Sequence, residues 1–135
     1  MKLSRRGLFA IGFAGIMASV SLPAMAKNVI VYTPEVLQQT VAQGQPYLLD
    51  FSATWCGTCK AQERVLDGLQ ADSADYNNIP ILRVDWDTYR SGTLVEELAI
   101  PRRSTLVMMR GNEELGRVVA QTGKPAIAAL LDLGL

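Results

Sequence analysis

The sequence predicts an α/β domain, a central mixed β-sheet flanked by helices on both faces, with elements in the order βαβαβαββα. Three observations lead there. From Asn28 onward, strand-like and helix-like stretches alternate without repeats, low-complexity tracts or an obvious linker, the pattern of parallel crossovers. Pro46 to Ala53 is apolar almost throughout, as expected of a central strand covered on both faces. Gly111-Asn112 lies between two strand-like runs, Leu106 to Arg110 and Leu115 to Ala120, which adds an antiparallel hairpin and makes the sheet mixed.

Residues 1–26 read as an export signal that stands outside this fold. Lys2, Arg5 and Arg6 precede an apolar run from Gly7 to about Val20, and Ala24 and Ala26 fit a peptidase site before Lys27. The Arg5-Arg6 pair, between Ser4 and Gly7-Leu8-Phe9, resembles the twin-arginine signal that carries folded proteins across a bacterial inner membrane. An uncleaved anchor fits less well, because the apolar run falls short of the roughly 20 residues that span a bilayer. Cleavage leaves residues 27–135, enough for one compact domain and too few for two. The chain has 13 basic and 13 acidic residues; three basic and no acidic ones fall in the signal, so the domain carries a net charge of −3. That balance excludes the basic footprint of a nucleic-acid binder.

Asn28 to Tyr32 is a short β-branched run that opens the domain. Thr33-Pro34-Glu35 then marks helix entry, with a hydroxyl cap, proline at the first helical position and an acid at the positive helix end. This helix should reach Gln43 and stop at Gly44. The apolar strand follows, and Asp50 is its one charged residue. From Gly57 to about Leu69 the period turns helical, with Val65, Leu66 and Leu69 as the apolar stripe and Lys60, Glu63, Arg64 and Asp67 on wetter positions. A polar loop through Asn77-Asn78 leads to a buried strand from Ile79 to Asp85, and Thr88 to Leu98 reads as a helix weakened by Gly92. Glu96-Glu97 is its wet face. Met108 and Met109 belong to the hairpin as strand core and rim, and Lys124-Pro125 opens a last helix.

The chemistry is concentrated in Trp55-Cys56-Gly57-Thr58-Cys59-Lys60, which holds both cysteines of the chain at a strand-to-helix junction. A thiolate is a nucleophile and a soft metal ligand, and thiols at this spacing can close a small ring, so redox chemistry and metal binding both stand open. So tight a pair closes no long loop and staples little. Structural metal sites want about four protein ligands, and the chain has no histidine and no third cysteine. That disfavours a metal within one chain and leaves a zinc or iron-sulfur site shared by Cys56 and Cys59 across a dimer.

The run Leu49-Asp50-Phe51-Ser52-Ala53-Thr54-Trp55-Cys56-Gly57-Thr58-Cys59-Lys60, with Arg83-Val84-Asp85-Trp86-Asp87 and the late Gly111 and Gly123, resembles the thioredoxin family over roughly residues 28 to 135. The export signal and the Cys59-Lys60-Ala61-Gln62-Glu63 continuation are similar to exported, periplasmic thioredoxin-like domains. The resemblance implies a thioredoxin fold and thiol-disulfide exchange through a redox-active Cys56-Cys59 disulfide, with no other cofactor. Cys56, at the helix N-terminus and the more exposed of the two by position, would attack; Cys59 would resolve the mixed disulfide. Asp50 would move the proton of Cys59 with a pKa raised by desolvation, the alternative being a strand carboxylate satisfied by backbone or water. Arg83 falls where the family often has a lysine near that acid; it either limits the rise or is simply solvated. Trp55 either shields the site and offers a docking surface or packs in the core. Lys60 is a solvated helix residue whose charge mildly favours the thiolate. Gly57 and Thr58 are the pair that tunes redox poise, matching neither the Pro-His of strong oxidants nor the Gly-Pro of ordinary thioredoxin. With Trp55, Arg103 and Ser104 they make the expected substrate surface.

One position departs from the family. Thioredoxins have a cis-proline immediately before the Thr-Leu that starts the next strand, and Ser104 stands there. Either Pro101 takes its role in a rearranged loop, or Ser104 faces the cysteines. A trans peptide is expected, because a nonproline cis bond costs roughly 3 kcal/mol. Loss of the proline bears on substrate docking and on metal capture, and Arg102 and Arg103 either rim the site or are solvated loop. The expected function is reduction of disulfides in exported client proteins in the periplasm, by a monomer that receives electrons from a membrane thiol-reductase. Disulfide isomerase or oxidase activity, and the shared-metal binding protein, are the alternatives.

Overall fold

The computed structural model describes residues 28–135; the export signal, its cleavage site and the twin-arginine pair lie outside the described residues. Five strands, β1 (Val29–Val31), β2 (Pro46–Ser52), β3 (Ile81–Asp85), β4 (Thr105–Arg110) and β5 (Glu113–Val119), form one sheet in the order β1-β3-β2-β4-β5. β3 runs parallel to β1 and β2, whereas β4 is antiparallel to β2 and to β5. The mixed sheet expected from the sequence is thus present, with the apolar β2 at its centre.

Strand alternation divides the core in two. Leu48, Ile81, Leu106 and Met108 point to one face, where they meet Leu66 and Leu69 of α2 (Gly57–Asp72) and Ile127, Leu130 and Leu131 of α6 (Lys124–Asp132). Tyr47, Leu49, Phe51, Leu82, Val84, Val107 and Met109 point to the other face. There they pack with Val36 and Leu37 of α1 (Pro34–Ala42) and the smaller helical segments after β3. Both Met108 and Met109 are buried, so neither is rim.

Local chemistry accounts for most boundaries. The Thr33 hydroxyl accepts from Val36 N–H at 3.2 Å and Pro34 occupies the first turn of α1, while Gly44 takes φ +69° just beyond its end. Gly111, at φ +58°, opens the two-residue turn between β4 and β5, and the Tyr47 hydroxyl donates to its carbonyl at 2.7 Å.

Three stretches differ from the sequence reading. α2 continues to Asp72, and a short helix α3 (Ala74–Asn77), capped by the Ser73 hydroxyl, fills much of the expected loop. β3 begins at Ile81 because Pro80 has no N–H to donate and Ile79 N–H turns back to the Tyr76 carbonyl. The helix expected over Thr88 to Leu98 is two pieces, α4 (Trp86–Tyr89) and α5 (Thr93–Glu97), separated at Gly92. Asp85 caps α4 with its carboxylate, so helix starts before Thr88, while the capping glycine of α5 has no side chain with which to continue the turn.

Candidate active site

β2 delivers the chain to the sheet's end, and the turn at Thr54-Trp55 feeds Cys56 into the N-cap of α2. Cys56 N–H is held by the Ala53 carbonyl at 3.1 Å, and Cys59 N–H points at Cys56 Sγ at 3.2 Å. A sulfur in this place receives the unsatisfied amide end of a 16-residue helix, which favours its anionic form. Cys56 and Cys59 are joined as a disulfide with Cα atoms 5.3 Å apart. Both residues are 3% exposed. The greater exposure expected of Cys56 is therefore absent from the disulfide form, because the 102–105 loop packs over both sulfurs.

Ser104 is the residue of that loop in contact with them. It is fully buried, and its Oγ lies 3.2 Å from Cys56 Sγ and 3.1 Å from Cys59 Sγ. No cis peptide bond occurs among the described residues, and Pro101 is exposed outside this contact. In place of a cis-proline the turn uses a left-handed serine, φ +61°. Its N–H donates to Phe51 O at 2.8 Å, and its carbonyl accepts from Ala120 N–H at 2.8 Å and from Gln62 Nε2 at 3.0 Å.

Gln62 is a site residue that the sequence reading missed. It is 1% exposed, one turn beyond Cys59 on the buried stripe of α2, and its Nε2 also donates to the Gln121 carbonyl at 2.9 Å. It thereby ties the dithiol helix both to the Ser104 loop over the sulfurs and to the segment that follows β5. The available signal was a polar residue four positions before Leu66 and three after Cys59, inside an otherwise apolar stripe.

Asp50 is buried at the centre of β2, directly opposite Arg83 in the β2–β3 register. Arg83 Nε donates to Asp50 Oδ2 at 3.0 Å, and Arg83 Nη1 donates to Glu63 Oε1 at 3.0 Å. Burial pushes the Asp50 carboxyl above the ordinary carboxylate range; Arg83 opposes this, and the Glu63 charge adds to it. Desolvation outweighs the guanidinium because the acid is almost wholly enclosed while Arg83 divides its charge between two carboxylates and is itself 28% exposed on its side chain. A groove lined by Val29, Val31, Lys60, Glu63, Arg83 and Asp85 opens beside this pair.

The outer rim is built from Trp55, Arg103 and Asp87. Trp55 is 55% exposed, which excludes the core-packing alternative. Its indole N–H donates to Asp87 Oδ2 at 2.8 Å, and the Arg103 guanidinium lies over its ring, 4.4 Å from the centroid. Arg103 is half-buried and its Nε has no hydrogen-bond partner, so it belongs to the rim rather than to solvated loop. Arg102 is exposed and donates to the Arg103 carbonyl. Gly57 and Lys60 are exposed and Thr58 is half-buried, on the first turn of α2 beside the sulfurs. The arrangement can take up and release two electrons through one sulfur pair, with a flat aromatic and cationic rim for a second protein. Among the described residues no group of three or more His, Cys, Asp or Glu side chains is placed to hold a metal ion.

The thioredoxin family model matches residues 28–132. A thioredoxin of Chlamydia trachomatis is 31% identical over 101 residues, covering 75% of this chain and 93% of that protein. A bifunctional thioredoxin reductase/thioredoxin of Mycobacterium leprae is 29% identical over 87 residues, or 64% of this chain; the match spans only 18% of that longer protein. Among solved structures, Trxlp from Edwardsiella tarda EIB202 superposes with a TM-score of 0.68 at 30% identity, covering 76% of this chain and 97% of that one.

Proposed function

The chain belongs to the thioredoxin family and has thioredoxin-type thiol-disulfide exchange on Cys56 and Cys59, and we propose that it runs this exchange in the reducing direction on exported proteins. In that cycle the Cys56 thiolate attacks one sulfur of a client disulfide. The client S–S bond breaks, a mixed disulfide forms, and the departing client thiolate takes up a proton. Cys59 then loses its proton and attacks Cys56 Sγ, closing the Cys56-Cys59 disulfide and expelling the second client thiolate. Two electrons pass to the client, and a dithiol donor, in this reading a membrane thiol-reductase, restores them. Asp50 serves as the buried base for the Cys59 proton, since it lies on the α2 side of the sheet and its carboxyl, raised by desolvation, holds a proton more readily than an exposed one. Trp55, Gly57, Thr58 and Arg103 receive the client, Ser104 lies buried beneath them against the sulfurs rather than on the docking surface, and Lys60 and Arg83 tune the charge around the sulfurs and the acid.

The observation that carries the reading is Cys56 as N-cap of α2 with its sulfur on the Cys59 amide, which makes one sulfur the better thiolate and leaving group. The periplasmic setting rests on Arg5-Arg6, the apolar run and Ala24-Met25-Ala26. Turnover of insulin disulfides by residues 27–135 with dithiothreitol tests the activity; catalytic acceleration supports it, and a rate equal to dithiothreitol alone refutes it. Replacement of Arg5 and Arg6 by lysine should retain the precursor in the cytoplasm, and undiminished export would refute the twin-arginine route.

A further inference from the structure

We infer that the Ser104 hydroxyl is a fixed hydrogen-bond donor to the dithiol, one that stabilises the thiolate set free when the Cys56-Cys59 disulfide opens and so favours the reduced form. The inference rests on the exchange reading above and adds a catalytic residue to it. Ser104 Oγ is 3.2 Å from Cys56 Sγ and 3.1 Å from Cys59 Sγ. Disulfide sulfurs carry no hydrogen, so in this form the hydroxyl is the donor. It has a single proton for two weak acceptors. When the bond is reduced and one sulfur becomes anionic, the same proton meets a charged acceptor, and a charge-assisted hydrogen bond is about twice as strong as a neutral one. The gain is therefore larger in the thiolate than in the disulfide. Cys56 Sγ already receives the Cys59 amide at 3.2 Å, so its thiolate would have two donors.

The backbone that carries the hydroxyl is held in place independently of the sulfurs. Ser104 is fully buried, with its N–H on Phe51 O and its carbonyl bonded by Ala120 N–H and Gln62 Nε2. Thr105 Oγ1 closes the loop onto the Arg102 carbonyl at 2.7 Å. The left-handed φ of +61° is strained for any residue with a Cβ and closed to proline, whose ring fixes φ near −65°. A proline in the place of this residue would also carry no donor.

Ser104→Ala removes the hydroxyl and keeps the Cβ; Ser104→Gly removes both and relaxes the left-handed backbone. Two readouts are taken on residues 27–135: the potential of the Cys56-Cys59 couple against a glutathione buffer, and the rate of Cys56 alkylation by iodoacetamide at pH 6. Each variant should shift the dithiol-disulfide equilibrium about tenfold toward the disulfide, a potential lower by about 30 mV for a two-electron couple. Alkylation should slow by up to about tenfold as the thiolate fraction falls. Either folded variant with the parent potential and alkylation rate overturns the inference, and if Ser104→Ala fails to fold, Ser104→Gly decides. Both readouts are made on the dithiol with small reagents. A parent protein that reduces no insulin would therefore defeat the client reading without touching this result.

Discussion

Replacing Asp50 by asparagine should stabilise the oxidised domain at pH 8 and leave it nearly unchanged at pH 4. Asparagine is nearly isosteric, and its carbonyl can keep the bond from Arg83 Nε now found at 3.0 Å. Exchanging a bond charged on both partners for one charged only on the guanidinium loses about 1 kcal/mol. Against that, the substitution removes a carboxylate 3% exposed, whose net desolvation penalty after relaxation is several kcal/mol, partly offset by Arg83. Arg83 is not stranded, because Glu63 remains 3.0 Å from its Nη1. The balance is a gain on the order of 1–3 kcal/mol at pH 8.

The pH dependence follows from the direction of the Asp50 shift. A raised folded-state pKa means that the unfolded chain releases this proton first, so stability from Asp50 is fully present below the ordinary carboxylate value of 3.8 and is lost as pH rises through its own higher pKa. The mutant loses nothing in that window, so the difference between the two proteins should open between pH 4 and 8. Urea unfolding followed by tryptophan fluorescence, both proteins fully oxidised, measures it. A mutant at least 1 kcal/mol less stable at pH 8 would refute the reasoning, because it would mean that Arg83 outweighs desolvation.

Other perturbations separate chemistry from packing. Cys59→Ser should leave Cys56 able to attack and unable to be released, so the mixed disulfide with a client accumulates on nonreducing gels; release at the parent rate would contradict the assignment of the two sulfurs. Arg103→Met should raise the KM for a protein disulfide severalfold with kcat nearly unchanged, because it removes a guanidinium stacked on Trp55 rather than a reacting group; equal kinetics would remove Arg103 from the docking rim. Leu131→Ala empties a fully buried position against α2 and the sheet and should lower unfolding free energy by about 2–5 kcal/mol in urea melts.

The parts of the fold that were legible are those in which local sequence and tertiary environment agree. The apolar run of β2 sits at the sheet centre, Thr33-Pro34 and Lys124-Pro125 open α1 and α6, and Gly111-Asn112 turns the hairpin. Where several weak preferences compete, local sequence is a poorer guide: Gly92 divides the expected helix in two, and Ser73 caps a turn of helix within a polar loop. At the site, Cys56, Cys59, Asp50 and Trp55 announce themselves through residue type and spacing. Gln62 does not, because its partners are carbonyls 42 and 59 positions away, outside any local window. The placement of Ser104 was open to alignment with a known pattern, whereas its left-handed backbone is set by bonds to Phe51, Ala120 and Gln62 from three separate parts of the chain. The near-equal exposure of the two cysteines likewise depends on the loop that covers them.

The reduction potential of the Cys56-Cys59 couple, measured on metal-free residues 27–135, tests the reductant most directly. A reductant should show a value below about −200 mV, toward the about −270 mV of thioredoxin; a value near the about −120 mV of a strong periplasmic oxidant would contradict that role.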